Sequence, residues 1–254
     1  MLWNTGEDKM IEGLLLSFQF FTRIPIKKEI SLSNRNIKYS LFFLPLVGAV
    51  IGLIAGIIYH YISTYSVLVA SLMALFSSII LTGGLHIDGL SDTFDGFMSN
   101  RDKEKTFEIM KDSRIGAFGV LSIVLLILFK YILIISLEDA FMPLVLSFIN
   151  SRIVLSYIIT SKKSAKEDGL GNLFKKSSSN VLFIVSLVIY LNTLFILIDP
   201  IYTIPLIITW LSSEYISHVS NKKIKGLTGD VYGSIIEIGE VVSLFGFWGV
   251  MIWM

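Results

Sequence analysis

Seven apolar runs, at 39–62, 66–84, 116–137, 140–160, 181–198, 201–219 and 235–253, leave this chain few folds to choose from. Most come close to the ~20 residues a helix needs to cross a bilayer core. Charged residues make up 16% of the sequence against about 25% in soluble domains, and 54% is hydrophobic. The expectation is an all-α, polytopic transmembrane helix bundle of about seven spans, forming one integral-membrane domain over 1–254. A shorter run, "IEGLLLSFQFF", cannot cross and is expected to lie in the interface, with a re-entrant segment as the second reading. The start, "MLWNTGEDKM", lacks a basic region and a cleavage site, so direct insertion of the first helices is expected. The absence of cysteine excludes disulfides, thiolate nucleophiles and Cys-ligated zinc.

Charge distribution orients the bundle. Nineteen of the 21 Lys and Arg lie before residue 39 or in the loops 82–115, 161–180 and 220–234. Seven alternating spans put those four segments on one side, opposite the short connections "STY", "EDA" and "DP". The positive-inside rule makes the basic side cytoplasmic, with the N-terminus in and the C-terminus out. The outer connections are too short to build a site, so the protein is expected to work from the cytoplasmic face of the cell membrane.

That face carries "GGLHIDGLSDTFDGF" at 83–97, where Asp88, Asp92 and Asp95 stand at i, i+4, i+7. On a helix they form one stripe. Three carboxylates so close repel one another unless a cation sits among them. Hard oxygen donors suit Mg²⁺ or Mn²⁺, bound through carboxylates and substrate phosphates. The bland reading is a solvated loop end whose acids merely cluster. His86 is either a general base or a residue bonding backbone at the end of the span.

Downstream, Arg101, Lys105, Lys111 and Arg114 read alone as ordinary positive-inside charge. Beside a carboxylate stripe they describe a pyrophosphate site, metal held by acids and phosphate oxygens by bases. Arg152 lies roughly 12 Å inside its span at the helical rise and either meets substrate or snorkels. Lys130, nearer the outer end, is expected to snorkel. Glu214 and His218, one turn apart, fit the cytoplasmic end of a span. In "GLTGDVYGSIIEIGE", Asp230, Glu237 and Glu240 come with glycines expected to interrupt the last helix, and the two glutamates are expected to face the bundle interior.

Five stretches in order resemble the cobalamin 5′-phosphate synthase family: "FFTRIP" at 20–25, "FFLPLVGAVIG" at 42–52, "GGLHIDGLSDTFDG" at 83–96, "EIMKDSRIGAFG" at 108–119 and "GLTGDVYGSIIEIGE" at 226–240. The resemblance implies a Mg²⁺-dependent membrane transferase. It would join adenosylcobinamide-GDP to α-ribazole or its 5′-phosphate and release GMP, a late step of cobalamin nucleotide-loop assembly. It also implies metal at Asp88, Asp92 and Asp95 and catalysis at these and His86. Substrate contacts would come from Arg23, Arg101, Lys111, Asp112, Arg114, Arg152, Asp230 and Glu237. The implied partners are those two substrates and the lipid bilayer. No nucleic acid is expected, and a homo-oligomer is left open. A looser likeness to CDP-alcohol phosphotransferases rests on Asp92, Asp95 and Gly96 and breaks at Ser99-Asn100; it is read as shared chemistry. Two rivals are a UbiA-type Mg²⁺-dependent prenyltransferase and a membrane transporter or binding module. The first usually carries two Asp-rich motifs, and the second would gather its polar residues at the bilayer midplane.

Overall fold

Serine starts several of the helices, as side-chain acceptors for otherwise unpaired amides require. Ser33 accepts from Asn36 N, Ser66 from Val69 N and Ser179 from Leu182 N. The computed structural model describes residues 6–253; the expected direct insertion and cytoplasmic placement of the extreme start concern residues 1–5, outside that range. In chain order the elements are α1 Gly6–Phe21, α2 Asn34–Ser63, α3 Val67–Thr82, α4 Leu85–Met98, α5 Lys103–Ile109, α6 Ala117–Ile135, α7 Phe141–Ser161, α8 Leu170–Ser177, α9 Asn180–Leu197, α10 Thr203–Ile224 and α11 Gly229–Trp253. A 3₁₀ turn, Pro200–Tyr202, precedes α10.

This is an all-α polytopic membrane protein. Helices α2, α6, α7, α9 and α11 are each long and apolar enough to cross a bilayer, and α3 with α4 makes a sixth if that pair, bent by 87°, counts as one span. Two of the seven expected runs differ from the rest. With 16 residues, α3 is roughly 24 Å long at the helical rise, short of a ~30 Å core. Glu214, His218, Lys222 and Lys223 make the second half of α10 too polar to match the five. Leucine, isoleucine, valine and phenylalanine cover the outer faces of α6 and α9, as a lipid-facing surface requires.

At the centre stands α7, buried along most of its length. The run "GAVIGLIAG" on α2 lets it approach closely. A Cβ on Gly48 would fall 2.3 Å from the Phe148 carbonyl oxygen, and one on Gly52 would fall 2.7 Å from Val145 Cα. Small residues at i, i+4 are how membrane helices gain contact where no hydrophobic force draws them together.

Helix α1 packs on α2, with Leu16 in the core. Two expectations about single segments change. The final helix begins at Gly229, about six residues earlier than the apolar run, and its glycines do not interrupt it. Lys130 does not snorkel: it is 5% exposed and its ammonium is held between Glu237 and Glu240. An apolar run containing one lysine carries no sign of carboxylates more than a hundred residues away.

Candidate functional site

The carboxylates sit where α3 breaks into α4. Gly83 (φ 64°) and Gly84 (φ 71°) both adopt the left-handed conformation that glycine tolerates best, which turns the chain sharply. The side chain of Arg23 lies across Gly83, where an added Cβ would fall 2.4 Å from Arg23 Cγ. The backbone N–H of Arg23 donates to the Leu81 carbonyl at 2.7 Å. The stretches "FFTRIP" and "GGLHIDG" therefore form one corner.

Beyond the corner α4 is helical over the acids, as their spacing predicts, with Asp88 exposed and Asp92 and Asp95 half-buried. Glycine again decides what lies alongside. A Cβ on Gly89 would fall 2.8 Å from the Asp230 carbonyl oxygen, and one on Gly233 would fall 3.0 Å from that of His86. This contact brings Asp230 to the stripe, so that Asp92 lies in the combined field of Asp88, Asp230 and Asp95. No cationic side chain forms an ion pair with Asp88, Asp92 or Asp230 among the described residues.

Asp95 is placed differently. Its two oxygens accept from Gly116 N at 2.7 Å and Gly119 N at 2.9 Å, capping the positive end of α6 from another helix. Gly116 itself offers no side-chain cap. The glycines of "SRIGAFG" make room: a Cβ on Gly119 would fall 2.3 Å from Ser91 Oγ and 2.4 Å from Asp95 Oδ2. Gly119→Ala is therefore expected to push Asp95 off the helix end and destabilise the fold by about 2 kcal/mol. Thermal unfolding in detergent, set against Ala117→Ser on the exposed side of α6, measures it.

The expected basic residues separate into two groups. Arg101, Lys111 and Arg114 are exposed around α5. Arg114 forms a forked pair with Asp112, at 3.0 and 2.7 Å, which holds that carboxyl down at about 2. Arg152 and Glu237 belong to a buried ionic quartet. Arg152, fully buried, pairs with Glu240 and stacks 5.1 Å from the Phe148 ring, and Glu237 pairs with Lys130. Glu214 accepts from Lys162 at 2.6 Å and from the Tyr157 hydroxyl at 2.8 Å, tying α10 to the end of α7.

Lys166 lies near these carboxylates, although the sequence did not single it out. Ser164 pairs with Leu227 in an isolated parallel bridge, with Ala165 N donating to Leu227 O at 2.8 Å. That bridge brings Lys166 into electrostatic reach of Asp230, its ammonium 4.7 Å from the Phe107 ring centroid. Its only sequence signal was membership of a basic loop.

His86, 4% exposed, lies in the wall of a cavity of about 230 Å³ that opens beside Asp88 and Asp230. Among the described residues no three His, Asp or Glu side chains form a ready-made metal cage. The donors that converge are all carboxylates. Such a set fits a hard divalent ion of the kind that binds through one or two carboxylates and substrate phosphates.

In class this is a multi-pass helical membrane protein whose carboxylates gather at a helix break between basic segments. The family profile described as Cobalamin-5-phosphate synthase matches residues 13–248. The chain belongs to that family. An adenosylcobinamide-GDP ribazoletransferase of Clostridium botulinum (strain Langeland / NCTC 10281 / Type F) is 39% identical over 241 residues, covering 92% of this chain and 96% of its own. Proteins of the same description in Treponema denticola and Clostridium tetani are 36% and 34% identical, over 92% and 94% of this chain and 96% and 97% of theirs. No solved structure matches. Membership in this family sets aside the prenyltransferase and transporter readings.

Proposed function

We propose that this chain, as a ribazoletransferase of the late nucleotide-loop step of cobalamin assembly, joins adenosylcobinamide-GDP to α-ribazole or its 5′-phosphate at the α4–α11 contact. The family carries the reaction class. One observation carries the site: Gly89 and Gly233 set Asp230 beside Asp88 and Asp92, and none of the three forms an ion pair with a protein cation among the described residues.

In the reaction, a ribose hydroxyl oxygen of the acceptor bonds to the cobinamide-side phosphorus of the diphosphate. The bond from that phosphorus to the bridging oxygen breaks, and GMP leaves with the oxygen and its electron pair. Asp88 and Asp92, with Asp230 opposite, would hold Mg²⁺, which neutralises charge on the diphosphate and on the leaving group. Asp95 fixes the α4 stripe against α6. Arg23, Arg101, Lys111 and Lys166, all exposed or half-buried in the basic segments, orient the phosphate oxygens. Arg114 and Asp112 act as a pair on that rim, and Arg152 and Glu237 support it from within the bundle. The hydroxyl proton passes to Asp88, which is exposed, while His86 is set back in the cavity wall.

The basic segments meet at one end, where the ends of α1, α4, α7, α8 and α11 line one cavity. Counting α3 and α10 as crossings gives seven spans, a cytoplasmic N-terminus and a site facing the cytoplasm in the cell membrane. A GMP-release assay in liposomes tests the proposal. GMP is expected only with both substrates and Mg²⁺, and its loss on chelation should reverse when Mg²⁺ is returned. Release of GMP without the acceptor would make the protein a hydrolase instead.

A further inference from the structure

The cavity beside Asp88 and Asp230 holds two polar atoms that none of the described residues satisfies. His86 Nε2 and the Tyr232 hydroxyl are both buried and have no hydrogen-bond partner among the described residues. Buried polar groups are nearly always paired, and each one left alone costs roughly 1–3 kcal/mol. Two of them in one cavity wall call for a ligand that pairs with them.

Apart from Asp88 and Asp230 the rest of the wall is apolar, and three of its residues are phenylalanines. Phe20 and Phe174 meet edge to face with ring centroids 5.2 Å apart, and Phe21 stands 6.3 Å from Phe174 and 6.1 Å from the His86 ring. Leu155 and Ile159 of α7 close the floor. At about 230 Å³ the space lies below the roughly 300–1,000 Å³ of pockets for drug-sized ligands. A flat bicyclic ring fits that size, and a corrin macrocycle does not.

We infer that this cavity binds the heteroaromatic base of the acceptor nucleoside, and that the Tyr232 hydroxyl donates to its free ring nitrogen while His86 Nε2 pairs with the attached ribose. The inference rests on the function proposed above and assigns the acceptor's place within it. The two substrates carry three heteroaromatic bases, the donor's guanine and adenine and the acceptor's own, and hydrogen-bonding capacity decides among them. Guanine and adenine each carry several donors and acceptors around their edges, most of which the walls behind the carboxylates would leave unpaired at a cost. A benzimidazole has two ring nitrogens, one of them taken by the glycosidic bond. Its remaining acceptor needs one donor, its faces need aromatic contacts, and the cavity supplies both. Because Asp88 and Asp230 stand at the mouth, a base seated inside leaves its ribose at the carboxylates. There the hydroxyl must meet the diphosphate.

Two variants test this by direct binding of α-ribazole to the full chain in detergent, with neither Mg²⁺ nor donor present. Tyr232→Phe removes a hydroxyl with no protein partner, so the fold should be unaffected. Gly171→Phe enters from the rim: a Cβ there would sit 3.4 Å from Tyr232 Cε2, in ordinary contact, and the added ring fills the space. Each variant is expected to weaken α-ribazole binding about tenfold or more, the equivalent of one hydrogen bond or more, while GMP binding and the KM for adenosylcobinamide-GDP stay as in the wild type. Unchanged α-ribazole affinity in Tyr232→Phe overturns the assignment. So does a fall in GMP affinity with α-ribazole affinity intact, which would give the cavity to the leaving nucleotide. Should Gly171→Phe fail to fold, Tyr232→Phe decides alone. Failure of the functional reading appears separately, as wild-type protein that binds α-ribazole yet releases no GMP with both substrates and Mg²⁺.

Discussion

Asp92→Asn is expected to lower turnover by about a thousandfold, the cost of removing a group that stabilises charge as it develops in the transition state. The protein should still fold, for a physical reason visible at the site. Asp92 is half-buried in the field of three other carboxylates, Asp88, Asp230 and Asp95. An amide of the same shape removes one charge from a group of like charges, so repulsion in the folded state falls. The thermal midpoint of the variant should therefore equal or exceed that of the wild type. Asp88→Asn should behave alike. Asp95→Asn should differ by losing stability as well as activity, because the oxygens of Asp95 cap α6. Glu108→Gln on α5, where Glu108 pairs with Lys105 in solvent, is the control expected to keep wild-type turnover. GMP release by Asp92→Asn at the wild-type rate would remove that carboxylate from the chemistry.

These contrasts mark what the sequence disclosed and what it withheld. The helices were legible because apolar runs of bilayer length and serine caps are local signals. The stripe on α4 was legible for the same reason, since i, i+4, i+7 is a property of one helix. What escaped depends on contacts between distant segments. Asp230 was expected at the substrate, but its place beside the stripe depends on Gly89 and Gly233 letting α4 and α11 touch. Lys166 is set near it by a bridge between residues 164 and 227. Asp95 looked equivalent to its neighbours because periodicity cannot show which of three acids will face the end of another helix. The span count was ambiguous where composition is intermediate, at the short α3 and the polar half of α10.

Lys130→Met is expected to be the most destabilising of the substitutions considered. Lys130 from α6, Arg152 from α7 and Glu237 and Glu240 from α11 form a quartet of two cations and two anions, none more than 6% exposed in its side chain. Neutral overall, it ties three helices together where little solvent reaches to screen a charge. Removing Lys130 leaves Glu237 buried without a partner and the cluster with a net negative charge. Breaking a buried pair in this way costs about 3–5 kcal/mol. A typical domain is stable by only ~5–15 kcal/mol, so most of the variant should fail to reach a monodisperse folded state in detergent. Charge balance then predicts a rescue. Lys130→Met with Glu237→Gln deletes one cation and one anion and leaves Arg152 on Glu240. Replacing both members of a buried pair is often neutral, so the double variant should recover most of the folded yield. Chromatographic homogeneity and unfolding midpoints of the two single variants and the double variant complete the cycle. If Lys130→Met proves as stable as the wild type, or the second substitution adds its own damage, the quartet does not hold the bundle together. If stability returns without turnover, the quartet also sets the position of Asp230, which lies on the same helix two turns before Glu237.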